Sequence, residues 1–356
     1  MARLAAGPAA RRIGMTAAAT LALAVVAAGL WQSHRGAAAT MRFDKPVTIV
    51  VTFPPGGGTD LLARRLGTAL QERIGQSVVV DNRPGASGNI GAREVARAAA
   101  DGSVLLMVNS SFAINPGVYR QLDFDPQRDF RAVFNAGTIA SVLVLPPEDV
   151  APKYAPQGAG AQKGAAPTGA QALADVLAPS AEGADQAFAS CGNGTPQHMA
   201  AEMLAQALHT RLQHVPYKGC GPAAMAVAAG QVPLGVVTIS SAAPLIAAGR
   251  LRALAVTGPQ RVAQLAGVPT VAELGVRGFA VEQWHGLLAP AATPDGVVAR
   301  LHEELARILN QPAMRQALQE QGYVLASDSP AQFEARIQAD MQRYAALAQH
   351  LGLGVD

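Results

Sequence analysis

Residues 47–60 read VTIVVTFPPGGGTD, and this run constrains the fold more than any other. Val47, Ile49, Val50 and Val51 form an apolar, β-branched stretch that suits a buried strand. Pro54 and Pro55 end it. Gly56, Gly57 and Gly58 then let the backbone turn tightly and approach a ligand with no Cβ in the way. Thr59 or Asp60 is placed to cap a helix, because Leu61, Leu62, Leu66, Ala69, Leu70 and Ile74 recur at helical spacing. Such a strand, glycine loop and helix start gather free N–H groups and the positive end of a helix dipole, which predicts an anion site. Gly58 is followed by Thr59-Asp60 and then Leu61, so neither the Walker ending nor a full G-x-G-x-x-G is present. A glycine-rich βα turn without a ligand is the other reading of this loop taken alone.

The N-terminus carries a different signal. Arg3, Arg11 and Arg12 precede an apolar run from Met15 to Leu30, and small residues follow at Gly36, Ala37, Ala38 and Ala39. A positive start, a short apolar stretch and an A-x-A end predict an export signal over 1–39 with cleavage near Ala39. An uncleaved anchor is the alternative. The chain has 28 basic and 25 acidic residues, a net +3. The leader holds four arginines (Arg3, Arg11, Arg12 and Arg35) and no acid, so removing it takes +3 to −1. The basic balance therefore belongs to the leader, and nucleic-acid binding is not expected.

Beyond the first helix, Val78–Val80 reads as a second strand and Asp81–Gly85 as a turn. Residues 86–91 open a second helix, and Val104–Val108 form a third strand ending at Asn109-Ser110-Ser111-Phe112. Strands alternating with helices predict a mostly parallel α/β sheet, with ligands beyond the carboxyl ends of its strands. The loops 54–60, 85–91 and 109–113 meet there. They contribute Phe53, Pro55, Gly56, Gly57, Gly58, Thr59 and Asp60, then Ser87, Gly88 and Asn89, then Ser110 and Ser111 as candidate ligand contacts.

FPPGGGTDLLAR, VVVDNRPGASGNIGA and SSFAINPGVY, followed by FASCGNGTPQHMAAEML, VPYKGCGPA, AAGRLRALAVT and VPTVAELG, appear in one order over nearly all of residues 42–350. In this the chain resembles the Bug or TctC family, the extracytoplasmic receptors of tripartite tricarboxylate transporters. The resemblance implies a type II periplasmic-binding fold, in which two α/β lobes joined by crossing strands hold a small carboxylate-bearing ligand between them. It also implies a periplasmic protein with membrane transporter subunits as partners. Relatives often carry an acid near Thr238. This chain has none there, so a contact to a ligand amine is not carried over.

The rest of the chain fits two lobes. The first lobe takes residues 40–141 and, after two crossings near 138–145 and 279–287, residues 285–356. The second takes 142–284. Residues 148–185, rich in Ala, Gly, Pro and Gln, read as an inert surface insertion. Ala187–Ser190 reads as a strand leading into the loop Cys191-Gly192-Asn193-Gly194-Thr195. Thr195 caps a helix that begins at Pro196, a second anion-friendly helix start facing the first. Asn193, Gly194, Thr195 and His198 are candidates here, with Tyr217, Lys218 and Gly219 from the next strand end and Thr238 from the one after. His214 reads as structural. Trp284 fits either the cleft or the core.

Cys191 and Cys220 each follow a strand of the second lobe and sit in an oxidising compartment if the leader is functional. If those strands are neighbours in a parallel sheet, the pair comes within bridging distance. Two buried free thiols are the alternative. The expected function is a monomeric receptor without enzymatic activity, cofactor or metal. The competing reading is an exported hydrolase using Cys191 or Ser110 with His198 or His285. Against it, the chain has no G-x-S-x-G elbow. Its seven histidines show no H-x-x-x-H spacing and its cysteines no C-x-x-C, which argues against a metal site.

Overall fold

A computed structural model describes residues 45–150, 169–178 and 185–354. The predicted export signal and most of the 148–185 segment lie outside the described residues.

The first strand, β1 (Val47–Val51), is buried and leads through the proline and glycine loop into α1 (Gly58–Ile74). The helix starts earlier than Thr59 or Asp60 could cap it: Gly57 occupies the cap position and offers no side chain. Next come β2 (Val78–Asn82), a 3-10 turn (Ala86–Gly88), α2 (Asn89–Ala96) and β3 (Val104–Asn109). Residues 111–113, read as loop from the sequence, instead open α3 (Ser111–Val118), which carries Pro116 inside it. β1 pairs in parallel with β2 on one side and β3 on the other.

The strand β4 (Phe130–Leu145) runs for 16 residues and joins the two halves of the molecule. Its first part pairs antiparallel with β9 (Glu282–Pro290), from Phe130↔Pro290 to Ala140↔Glu282. Its last part pairs antiparallel with β7 (Leu234–Thr238) and β8 (Arg252–Val256). With β5 (Gln186–Ser190) and β6 (Leu212–Pro216), the strand order is β2-β1-β3-β9-β4-β7-β5-β6, and β8 and β10 (Tyr323–Leu325) also pair with β4. Gly137 sits where β10 crosses: its φ is +136°, and an added Cβ would lie 2.3 Å from the Val324 carbonyl oxygen. Only glycine serves there.

The second half repeats the device of the first. It contains α4 (Ala170–Leu177), β5 (Gln186–Ser190), α5 (Pro196–Ala207), β6 (Leu212–Pro216), α6 (Cys220–Ala228), β7 and α7 (Ile239–Ala247). β5 pairs in parallel with β6 and β7. Part of the supposed surface insertion belongs to the core: Leu173 and Leu177 of α4 are fully buried against Phe188, Leu204 and Leu234. Their i, i+4 spacing puts both on one helix face, a signal too short to stand out beside the alanine-rich run before it.

The chain returns through α8 (Asp295–Leu309), α9 (Pro312–Glu320) and α10 (Pro330–His350). Leu301, Leu305 and Ile308 of α8 pack with Leu62, Leu66 and Leu70 of α1 on one face of the first sheet. Phe333, Ile337 and Met341 of α10 pack with Val50, Leu106 and Trp284 on the other. The strands of the first half are thus covered on both faces, as parallel strands require, and the strand ends stay clear for a site.

Candidate functional site

A cavity of about 190 Å³ opens between the carboxyl ends of the strands. Its wall takes Gly57, Gly58 and Thr59 from the start of α1, Thr195 and Gln197 from α5, Cys220, Gly221 and Pro222 from α6, and Thr238 and Ser240 from α7. Four helix N-termini therefore converge on one space. Each helix leaves its first N–H groups without an internal partner and carries a partial positive charge of roughly half a unit at that end.

The donors can be named. In α1 the first helical bond is Leu61 N–H to Gly57 O at 2.9 Å, which leaves Gly58, Thr59 and Asp60 N–H outside the helical ladder. In α5 Pro196 has no N–H, and His198 N–H goes to the Thr195 hydroxyl at 3.3 Å, so Gln197 supplies the free amide. α6 is capped by Gly219 and α7 by Thr238, neither through a side-chain bond. Lys218, exposed at the rim, is the cation of the wall.

Behind these donors lies a neutral, buried network. The Thr59 hydroxyl lies 3.2 Å from His285 Nε2, and Gln283 Nε2 lies 3.0 Å from the same nitrogen. With the Gln283 amide so placed, its Nε2 donates to His285 Nε2, and His285 Nδ1 lies 3.3 Å from the Tyr323 hydroxyl. Burial lowers the His285 pKa to about 3, so the ring is neutral at physiological pH. Gln197 Nε2 donates to Gln283 Oε1 at 3.1 Å and to the Ser141 hydroxyl at 2.9 Å. Asn109 Nδ2 donates to Thr59 Oγ1 at 3.4 Å.

Of the residues expected from sequence, Phe53, Pro55, Gly56, Gly57, Gly58, Thr59, Thr195, Lys218, Gly219, Thr238, Cys191 and Cys220 line this cavity. Ser87, Gly88, Asn193 and Tyr217 line a second, outer chamber of about 330 Å³, whose wall shares Phe53, Cys191, Lys218 and Gly219 with the first. Asn89 lines neither chamber; its Oδ1 accepts from Asn115 Nδ2 at 2.6 Å.

Five expected contacts face elsewhere. Asp60 is buried and accepts from Gly56 N–H at 2.8 Å, Asn82 at 2.9 Å and Arg64 at 3.0 Å. Burial opposes its ionisation, but the bonds from Arg64, Gly56 and Asn82 outweigh it and hold its pKa below the usual value. Its charge thus shapes the glycine loop. Ser110 accepts Trp284 N–H at 2.8 Å, and Ser111 N–H is taken by Asn109 Oδ1 at 2.9 Å. Asn109 replaces these serines in the wall. Gly194 packs over Asn115 and Tyr119 of the first lobe. His198 braces the loop from behind: its Nδ1 accepts Gly194 N–H at 3.3 Å, and its ring stacks on His214 with centroids 3.9 Å apart. Trp284 belongs to the core, 1% exposed, with its indole N–H donated to Asp340 at 2.8 Å.

The hydrolase constellation is not assembled. Cys191 is bonded to Cys220 in a disulfide with Cα atoms 4.3 Å apart, and the Ser110 oxygen is committed to the Trp284 backbone. No cluster of His, Cys, Asp or Glu suited to a metal occurs among the described residues. Sequence reasoning passed over Gln197, Gln283, Ser240 and Asn109, and weighed His285 only as a base.

A family profile described as "Tripartite tricarboxylate transporter family receptor" matches residues 62–154 and 167–353. The chain belongs to this receptor family. The receptor is 35% identical over 302 residues to the "UPF0065 protein in tcbD-tcbE intergenic region" of Pseudomonas sp. (strain P51), covering 84% of each chain. It is 30% identical over 340 residues to "Protein BugT" of Bordetella pertussis, covering 94% of this chain and 98% of the other. Among solved structures, that described as "R. palustris Rpa4515 with adipate" superposes with a TM-score of 0.77 at 30% identity, over 88% of the receptor and 99% of that chain. The type II periplasmic-binding fold and the Bug relationship expected from the motifs both hold.

Proposed function

We propose that this receptor captures a small carboxylate in the periplasm, without chemical turnover, as a monomer that hands its ligand to membrane subunits of a transporter. The observation that carries the reading is the convergence of four helix N-termini on one small cavity whose wall, among the described residues, holds no acidic side chain. A carboxylate there meets backbone N–H groups and hydroxyls, each hydrogen bond to the charge contributing roughly 1.5–3 kcal/mol. Several such bonds offset the cost of immobilising a small ligand and support micromolar or tighter binding. The adipate bound to a structural neighbour is a ligand of this chemistry. Among the described residues no helix is long and apolar enough to cross a membrane. The export signal read over 1–39 supports a periplasmic location.

The proposed ligand contacts are the wall residues of the inner cavity, led by Gly57, Gly58, Thr59, Thr195, Gln197 and Ser240. Gly57→Val tests them without a backbone penalty. Gly57 has φ −78° and ψ 165°, which valine adopts readily, and its Cβ would meet only Pro54 O at 3.6 Å. The valine methyls would stand in the approach to the α1 amides. Calorimetry should show carboxylate binding to the mature receptor and at least about a hundredfold loss in Gly57→Val, the loss of two such bonds. Unchanged affinity in the folded variant would remove the glycine loop from the site.

A further inference from the structure

The inner wall is one-sided in its chemistry. It presents hydroxyls from Thr59, Thr195, Thr238 and Ser240, free backbone N–H groups, and Lys218, but among the described residues no aspartate or glutamate. Asp60, next to the glycine loop, has its oxygens taken up by Gly56, Arg64 and Asn82. An ammonium group on the ligand would meet four positive helix ends and a lysine with no opposing charge, which is costly once water is excluded.

One neutral acceptor on a lining residue is left without a donor. Gln197 is fully buried, and its Oε1 has no hydrogen-bond partner among the described residues. His285 Nε2 accepts from Gln283 Nε2, which leaves Gln283 Oε1 as the acceptor for Gln197 Nε2. The polarity of the chain from His285 to Gln197 thus leaves an unpaired carbonyl oxygen on a residue that lines the cavity. A buried acceptor without a donor is unfavourable, and a ligand group that donates to it recovers that free energy.

We infer that the receptor selects carboxylic acids bearing a hydroxyl, whose O–H pairs with Gln197 Oε1, and discriminates against the corresponding amino acids. The inference rests on the receptor reading above. Lys218 and the helix ends favour the anion, Gln197 favours an uncharged donor, and the missing carboxylate disfavours the ammonium.

Calorimetry on the mature receptor with matched triads decides it: unsubstituted, hydroxy and amino acids of one carbon skeleton, such as succinate, malate and aspartate, repeated at three and six carbons. Within the tightest-binding skeleton the hydroxy acid should bind about tenfold tighter than the unsubstituted acid and at least about thirtyfold tighter than the amino acid. In Gln197→Met, which keeps the volume and removes the acceptor, the hydroxy-to-unsubstituted ratio should fall towards one. An amino acid binding as tightly as the hydroxy acid, or an unsubstituted acid doing so, overturns the inference and leaves the receptor reading standing. A ratio unchanged in folded Gln197→Met overturns the assignment to Gln197. If that variant does not fold, the triads on the unaltered receptor decide alone. Binding of no acid in any triad overturns the receptor reading and this inference together.

Discussion

Removing the Cys191–Cys220 bridge separates two roles a disulfide can have, stabilising the fold and shaping the cleft. The bridge closes a chain segment with a sequence separation of 29. On the chain-entropy relation, releasing that loop lowers stability by roughly 3–4 kcal/mol. For a described region of about 300 residues this corresponds to a fall of about 5 °C in Tm. The two loops are already joined by backbone bonds. Gly219 N–H donates to Cys191 O at 3.1 Å, and Tyr217 N–H donates to Ser190 O at 3.1 Å. The native loops should therefore keep their places in Cys191→Ser/Cys220→Ser, because the bridge acts mainly on the unfolded chain. Urea unfolding and calorimetry on the double variant measure the two roles separately. The expected result is a stability loss of about 3–4 kcal/mol with carboxylate affinity changed by less than about threefold. A loss below about 1 kcal/mol would refute the entropic account, and an affinity loss above about thirtyfold would show that the bridge, not the backbone, shapes the wall.

Other expectations follow from particular contacts. Burial, then the neighbouring His198, lowers the His214 pKa to about 3, and burial alone lowers His285 to about 3, against an ordinary 6.5. The unfolded chain binds these protons first, so their contribution to stability is complete above pH 6.5 and shrinks as pH falls towards 3, by up to about 2 kcal/mol for His285 at pH 5. Urea midpoints should fall from pH 7 to pH 5, less steeply in His214→Asn, and equal slopes would discount His214. The Ser87 hydroxyl donates to the Asn193 carbonyl across the cleft. Ser87→Ala should raise the ligand off-rate about fivefold, one hydrogen bond's worth, and an unchanged off-rate would mean this contact does not hold the lobes. With ligand, scattering should show a smaller radius of gyration; an identical radius at saturation argues for a rigid receptor. Gly286 lies on β9, where an added Cβ would come within 2.4 Å of the Phe333 ring and 2.7 Å of Phe134 O. Gly286→Ala should cost at least about 1–3 kcal/mol in urea unfolding, and a neutral result would mean that α10 moves aside freely.

The parts of the fold that could be read from the sequence were those with local signals. The β1 run, the glycine loop and the periodic leucines of α1 announce themselves within 28 residues, as do Thr195 and Pro196 at the start of α5. The start of α3 was lost because Asn115 and Pro116 speak against a helix locally, while burial of Phe112, Ile114 and Val118 decides in its favour. Asp60 looked like a ligand contact because its type and place fit a cap. Its bond to Arg64 is a local i, i+4 pair, but its bond to Asn82 appears only when β2 lies beside β1. The polar network was out of reach for a plainer reason. Thr59 meets His285 across 226 residues and Gln197 meets Gln283 across 86, and no local pattern encodes such pairings.

The 16 residues of β4 have a consequence for evolution as well as for motion. Because one continuous strand supplies backbone partners to β9 on one side of Ala140 and to β7 and β8 on the other, neither half owns a complete sheet. A lineage could not exchange one lobe for another without re-pairing this strand. Substitutions at the strand ends and helix starts, by contrast, alter the cavity wall and leave the shared ladder intact.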